Sequence, residues 1–449
     1  MSSTQHGRAA PAQLAKDMPA YAVLLVFLSA VWVESDAYRY AALATLLPVT
    51  VYYFYKDFLS DEKVLIGYMG FACIGWGLYV VARFFYSYSF HGNFGIGSSE
   101  GIYIFPLLYP ISGYALFLFI RRPLVVACCF LLISFLVALY SLDLPAVVGG
   151  YRTEVVLHAN PIHAAVGQGM IVLCMLPFAN YLLQSSDMRP GLRAGLTVLS
   201  IATLFLGLAN IYALESKGVW LALAIALPVQ LLMIATVRHA RRALLVIVFL
   251  SFAVLAATVV AAWDGILAVA GDTAEAAAKL LAGIFGDANV LEDVDRAIHD
   301  DALPGSFRER LMLWASAILI WAKDPIFGQG VTWLHEWQTR AYPAADYNLI
   351  HNGYLEIAIR YGIVGLTFYA VLFFWAIRQV WRAKREGVVD PAAFQAYVTV
   401  FLFFCITIFS NSNIRLALGE SYMWFSAAFG FYCYYHLQKR NAVKVATWM

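Results

Sequence analysis

The stretch Asp346-Tyr-Asn-Leu-Ile-His351-Asn352-Gly353-Tyr354-Leu355-Glu356, continued by Arg360-Tyr-Gly362-Ile-Val-Gly365-Leu, passes from polar to apolar within a few residues. A loop that hands His-Asn-Gly straight into a long apolar run sets an imidazole at a water–lipid boundary. From Trp263 to this point runs the one long polar interruption in an otherwise almost continuously apolar chain. Asn352 or Asn348 can cap the helix that follows, because a side-chain oxygen there accepts from the free N–H groups of the first turn. Gly353 permits close backbone approach. His351 then precedes a helix N-terminus, whose partial positive charge disfavours imidazolium and leaves a neutral ring able to accept a proton. The competing reading is a structural histidine that donates to a backbone carbonyl.

Working outward, the 449 residues are 62% hydrophobic and 13% charged. Soluble domains carry about 25% charged residues. Here the apolar residues come in runs of roughly twenty, the length of a helix that crosses a bilayer. The period-two alternation of a membrane barrel is absent. The expected fold is all-α: a polytopic integral membrane protein with about twelve transmembrane helices and one long loop carrying amphipathic helices. The runs lie near 19–33, 38–55, 64–86, 102–120, 123–142, 163–184, 193–213, 217–237, 241–263, 354–378, 393–411 and 418–437. They divide the chain into N-terminal transmembrane helices (1–263), the loop (264–352) and C-terminal transmembrane helices (353–449). The segment before Pro19 has no cleavage site of the secretory kind, so the first run is expected to stay as a helix. The net charge of +2 says little about partners, and no basic cluster suited to nucleic acid is present, so no nucleic-acid partner is expected. Cys73, Cys128, Cys129, Cys174, Cys405 and Cys433 all fall inside apolar runs, which argues against a disulfide framework and a thiolate metal site.

Basic residues orient this array, because cytoplasmic turns are enriched in Lys and Arg. With the N-terminus in the cytoplasm, every cytoplasmic segment has at least two, among them Arg121 and Arg122, Arg238, Arg241 and Arg242, and Arg378, Arg382, Lys384 and Arg385. The short turns on the other side hold one each: Arg39, Arg83, Arg152, Lys217 and Arg415. Both termini are then cytoplasmic and the long loop is outside, periplasmic in a bacterium.

A lone cation in an outer turn opposes this rule and needs another reason to be there. Snorkelling at a helix end is the plain one. Arg152 has a second, a pair with Glu154, and a third, service as a phosphate anchor. Lys217, held between two spans with almost no loop, either pairs with Glu215 or meets a phosphate. Inside the loop, Asp272–Ala282 reads as a short amphipathic helix. A better defined helix follows Pro304-Gly305, with Ser306 and Glu309 as a capping box. Its apolar stripe is Phe307, Leu311, Trp314, Ile318 and Trp321, and Asp324-Pro325 stops it. Arg308 and Arg310 in its first turn are unfavourable unless an anion is bound at the free N–H groups. Phosphate binding by at least one of them is therefore expected. No cofactor is called for. No spacing fits a metal centre; Asp293-Val-Asp295 is the nearest. A diphosphate leaving group would then rely on Arg and Lys for stabilisation.

Arg310-Leu-Met-Leu-Trp314 with Lys323-Asp324-Pro325-Ile-Phe-Gly328-Gln-Gly330 resembles the first half of the O-antigen ligase and polymerase signature. His351-Asn352-Gly353-Tyr-Leu355-Glu356 with Gly362-Ile-Val-Gly365-Leu resembles the second half. Ser216-Lys217-Gly218 is similar to that family's Ser-Arg-Gly, and Asn160-Pro161 to a further common element. The resemblance spans about Arg152 to Gly365. It implies a metal-independent, inverting glycosyltransferase of the WaaL type, broadly GT-C-like, in the bacterial inner membrane. Such enzymes move a glycan from undecaprenyl diphosphate to lipid A–core oligosaccharide, in lipopolysaccharide biosynthesis. Carried over, His351 is the catalytic base and Arg310 the loop arginine. Arg152, Lys217 and Arg308 are left to hold the diphosphate. Lys217 keeps the charge of the family's arginine and loses its fork. The alternatives are an O-antigen polymerase or a protein O-oligosaccharyltransferase of the same superfamily. From another class comes an anion transporter, disfavoured because the spans are nearly free of charge and no internal repeat is visible.

Overall fold

The structure is a computed structural model that describes residues 11–53, 55–56, 65–91, 98–149, 151–153, 155–186, 188–236, 260, 263–264, 267, 271–278, 290–300, 303–343, 347 and 349–446. The described residues form helices and turns, with no strand among them. Helices α1 (Pro11–Phe27), α2 (Ala37–Tyr53) and α3 (Gly67–His91) come first. A 3₁₀ run, Ser98–Leu108, leads into α4 (Tyr109–Phe119). Then come α5 (Pro123–Tyr140), α6 (Leu144–Gly149), α7 (Pro161–Gln184), α8 (Pro190–Ala213) and α9 (Lys217–Ala235). The loop contributes a helical segment at 271–278, α10 (Val290–Ile298), α11 (Gly305–Trp321) and α12 (Trp333–Gln338). The chain closes with α13 (Gly353–Arg385), α14 (Pro391–Thr407) and α15 (Ala417–Ala446).

The helix starts follow from local chemistry. Proline opens α5, α7, α8 and α14, where its missing N–H costs nothing. Asn160 caps α7, Asp390 caps α14 and Asn352 caps α13, each accepting from backbone N–H groups of the first turn at 2.8–3.1 Å. Such a cap contributes about 1 kcal/mol. Each expected apolar run coincides with a helix, except 241–263, which lies almost entirely outside the described residues. Among the described residues, seven helical stretches are long and apolar enough to cross a membrane: Gly67–Ser89, Gly101–Phe119, Pro123–Tyr140, Pro161–Gln184, Pro190–Ala213, Lys217–Ala235 and Gly353–Arg385.

Helix α7 is the central post, with Ala165, Val166, Ile171, Val172 and Leu173 sealed among α8, α9 and α14. A buried amide stitches three of these together: Gln230 donates to the Leu173 carbonyl at 2.6 Å and to Thr399 Oγ1 at 2.8 Å. Small residues allow the closest approaches. A Cβ on Gly167 would lie 2.4 Å from the Val31 carbonyl oxygen.

Helix α13 is broken at Gly362, where φ is 58° and ψ −154°. The turn after α11, Asp324 to Gly330, plugs the break. Ile363 N–H donates to Pro325 O at 2.9 Å and Val364 N–H to Ile326 O at 3.1 Å, while Gln329 N–H donates to Ile359 O at 2.7 Å. Backbone groups that a straight helix would pair internally are paired by the turn, as buried polar groups require. Gly328, also at positive φ, presses on the Arg360–Tyr361 peptide. The two motif halves of the sequence are thus one interlock in space.

Two expectations about α11 are corrected. The helix starts at Gly305 with Pro304 as N-cap and no side-chain cap bond. Ser306 therefore sits inside the first turn, where it cannot act as the cap, and Arg308 and Arg310 fall beyond the first three residues. The apolar stripe holds at Phe307, Leu311 and Trp314, which pack with Ile298 and Leu303, and differs at Ile318. Leu313, Ala317 and Ile320 pack on Trp333, Trp337, Ile350 and Ile359, while Leu311 and Ala315 face α10. Ile318 is exposed, because partners cover the helix on two other faces. Of the helix expected over Asp272–Ala282, residues 271–278 are helical and the remainder lies outside the described residues.

Candidate active site

His351 occupies the turn between the loop and α13, and its backbone is left-handed, with φ 55°. A non-glycine residue there costs about 1–3 kcal/mol unless its surroundings hold it. Three bonds do so. Ile350 N–H donates to Glu356 Oε1 at 2.9 Å, Gly353 N–H donates to Ile408 O at 2.7 Å, and Asn352 caps the helix immediately after. The ring is half-buried. The Tyr347 ring meets it edge to face with centroids 5.4 Å apart, and its Nδ1 lies 3.4 Å from Asn411 Oδ1.

Burial pushes the imidazole below the ordinary histidine range. The Asn411 bond opposes this, the Arg310 guanidinium adds to it, and the Glu356 and Glu309 carboxylates oppose it more weakly. The neutral, proton-accepting ring expected from the sequence is therefore favoured. Arg310 is itself partly withdrawn from water. Burial lowers its proton affinity against the attraction of Glu309. Among the described residues Arg310 has no hydrogen bond or ion pair, and its positive charge is felt at the His351 ring. Four residues on along α11, the Trp314 ring packs edge-on against Phe409, 5.6 Å between centroids.

The other sequence-selected cations are placed as follows. Lys217 opens α9, and its Nζ donates to Thr273 Oγ1 in the helical segment 271–278 at 2.9 Å. Gly218 sits so close to α14's end that an added Cβ would be 2.5 Å from Ser410 Oγ, one residue from Asn411. Lys217 thereby reaches the same end of the bundle as His351. Arg152 is exposed, with no partner among the described residues. Its neighbour Thr153 donates from N–H to Ala213 O at 3.0 Å, which sets Arg152 beside the α8–α9 turn. Glu154, its expected partner, lies outside the described residues. Arg308 folds back on the preceding turn, donating to Asp300 O at 2.6 Å. The Asp293 carboxylate pairs with Arg296, and Asp295 accepts from Tyr342 Oη.

Several residues at this end were missed by reading the sequence. Glu356 and Arg360 are fully buried in the first turns of α13, with Arg360 Nη1 2.5 Å from Glu356 Oε2. Arg415 Nη1 joins at 3.2 Å and Ser412 Oγ donates to Glu356 Oε1 at 2.8 Å. The Arg360 guanidinium lies 3.9 Å from the Trp333 ring centroid, a desolvated cation–π contact. Two charges four apart at the head of an apolar run were the visible signal for the pair. Nothing local pointed to Ser412 or Asn411. The lone outer arginines also find their reasons. Arg39 forks onto buried Glu420 at 2.9 and 2.5 Å, and Arg83 donates to the Gly328 carbonyl at 2.5 Å, holding the plug turn.

A protein-family model described as O-Antigen ligase matches residues 202–370, from the middle of α8 through the loop and past the break in α13. Comparison with curated proteins returns no match. The matched stretch contains His351, Arg310, Lys217 and the plugged helix break. Over residues 202–370 this chain is therefore similar to the O-antigen ligase family, and among its described residues seven helical stretches are long and apolar enough to cross a bilayer.

Proposed function

We propose that the protein is an O-antigen ligase that transfers a glycan from undecaprenyl diphosphate to lipid A–core oligosaccharide at the periplasmic face of the bacterial inner membrane. About twelve spans, both termini in the cytoplasm and His351 on the periplasmic side complete this reading. The observation that carries it is the pairing of a neutral-leaning, half-buried imidazole with a cation that has no partner among the described residues, Arg310. A base must be unprotonated to accept a proton, and a diphosphate leaving group needs positive donors poised where its charge grows.

In this mechanism His351 takes the proton of an acceptor sugar hydroxyl. The hydroxyl oxygen bonds to the anomeric carbon of the donor. The bond from that carbon to the diphosphate oxygen breaks, and its electron pair leaves with undecaprenyl diphosphate. One displacement inverts the anomeric centre. Arg310 meets the developing charge, with Lys217 and Arg152 near the same end of the bundle. Arg308 contributes if it releases the Asp300 carbonyl. A base of this kind contributes about a hundred- to ten-thousandfold.

The test is reconstitution in liposomes with a donor lipid and lipid A–core. Glycosylated lipid A–core is expected without added nucleotide sugar. Lengthening of undecaprenyl-linked chains instead would favour the polymerase, and glycosylation of an added pilin-like protein the O-oligosaccharyltransferase. Product formed in detergent, where there is one compartment, excludes the anion transporter.

A further inference from the structure

His351 has two ring nitrogens, and only one of them can be the base. We infer that Asn411 is the positioning residue that keeps the proton on His351 Nδ1, so that Nε2 is the atom that accepts the acceptor hydroxyl's proton. The inference rests on the general-base reading above and deepens it.

The argument begins at the amide of Asn411. Its Oδ1 accepts from the Ser412 backbone N–H at 3.0 Å. A backbone N–H only donates, so the amide oxygen is the end that faces it. That same Oδ1 lies 3.4 Å from His351 Nδ1. An oxygen with no hydrogen to give makes Nδ1 the donor, and a neutral ring with its proton on Nδ1 has its lone pair on Nε2. Asn411 Nδ2 is buried with no partner among the described residues. Among the described residues the side chain is therefore held through its oxygen.

The frame around the amide is equally constrained. Glu356 Oε1 accepts from Ile350 N–H at 2.9 Å and from Ser412 Oγ at 2.8 Å. One carboxylate oxygen thus ties the residue before His351 to the residue after Asn411, Ser412, which lies 56 positions beyond Glu356 in the sequence. The charged groups acting on the ring are Arg310 and Glu309 from α11 and Glu356 from α13; Tyr347 meets it edge-on. From the 410–415 turn the ring meets a neutral amide. A carboxylate there would hold a proton on the imidazole and spoil the base.

The experiment reads the ring itself. In the unsubstituted protein, labelled with ¹⁵N-histidine and assigned by comparison with His351→Gln, the neutral ring of His351 should carry its proton on Nδ1. A ring protonated on Nε2 overturns the inference. Carbethoxylation of His351 by diethyl pyrocarbonate, followed by mass spectrometry across pH, then reports its midpoint of protonation. Asn411→Asp, which matches the amide in size, should raise that midpoint by about one pH unit or more. An unmoved midpoint overturns the inference. Asn411→Ala should lower the transfer rate about a hundredfold while KM for both lipids holds. Transfer at the parental rate also overturns it. If the parental protein transfers no glycan, the ligase reading falls, while the spectrum and the midpoint still decide whether Asn411 sets the tautomer.

Discussion

Arg360 Nη1 and Glu356 Oε2 lie 2.5 Å apart with both side chains wholly excluded from solvent. Two charges in such a place are stable only because each answers the other. Arg415, Ser412 and the Ile350 N–H satisfy what remains of the carboxylate. Removing the carboxylate strands a buried guanidinium, at a cost of about 3–5 kcal/mol. Glu356→Ala is therefore expected to lower the thermal unfolding midpoint in detergent strongly. Arg415→Ala removes a partner that sits further out and is expected to lower it much less. Equal midpoints for the two variants would contradict this account of the turn.

Gly362 tests the interlock between the plug turn and the helix break. Its φ of 58° with ψ of −154° belongs to glycine, and an added Cβ would fall 2.2 Å from the Ile326 carbonyl oxygen. Gly387 has a similar φ of 71° and nothing near it. Gly387→Ala should therefore cost only the backbone penalty, about 1–2 kcal/mol. Gly362→Ala should expel the plug turn, and with it abolish glycan transfer. Limited proteolysis between Asp324 and Gly330 should rise in that variant alone.

The acid limb of transfer should follow His351. Its proton affinity is lowered in the folded protein, first by burial and then by Arg310. The neutral base is thus present at neutral pH and is lost as pH falls through a value below the ordinary one of about 6.5. Arg310→Gln removes a neighbouring positive charge, so imidazolium becomes easier to form and the limb moves to higher pH. The same change removes leaving-group stabilisation and should lower kcat about a hundred- to a thousandfold. A pH–rate profile of kcat/KM for both proteins checks the direction.

Arg83 carries a prediction on structure alone. Its guanidinium holds the Gly328 carbonyl from the end of α3. Arg83→Ala leaves that carbonyl short of a donor, at a cost of about 1–3 kcal/mol. The unfolding midpoint should fall while the pH at which His351 becomes protonated stays where it was. Carbethoxylation of His351 against pH checks the second half.

Much of this was legible locally and the rest was not, for a physical reason. The Asn352 cap, one of the two offered by the sequence, is written within three residues of the helix it starts, and it appears as read. The lone outer arginines announced that something was unpaired, although their partners, Glu420, Gly328 and Glu356, lay tens to hundreds of positions away. Ser306 misled because a capping pattern is common wherever serine precedes a glutamate, and Pro304 had already started the helix. Asn411 and Ser412 gave no local signal, since their meaning comes only when α14 ends beside the start of α13. The pair Glu356 and Arg360 was visible four residues apart and was passed over as part of a span nearly free of charge.

Everything in the mechanism converges on one imidazole. The most direct measurement is the rate of glycan transfer from a donor lipid to lipid A–core by purified His351→Gln in proteoliposomes, beside the parental protein. A rate reduced at least about a hundredfold, with donor lipid still bound, is the result expected. Transfer at the parental rate would contradict the account.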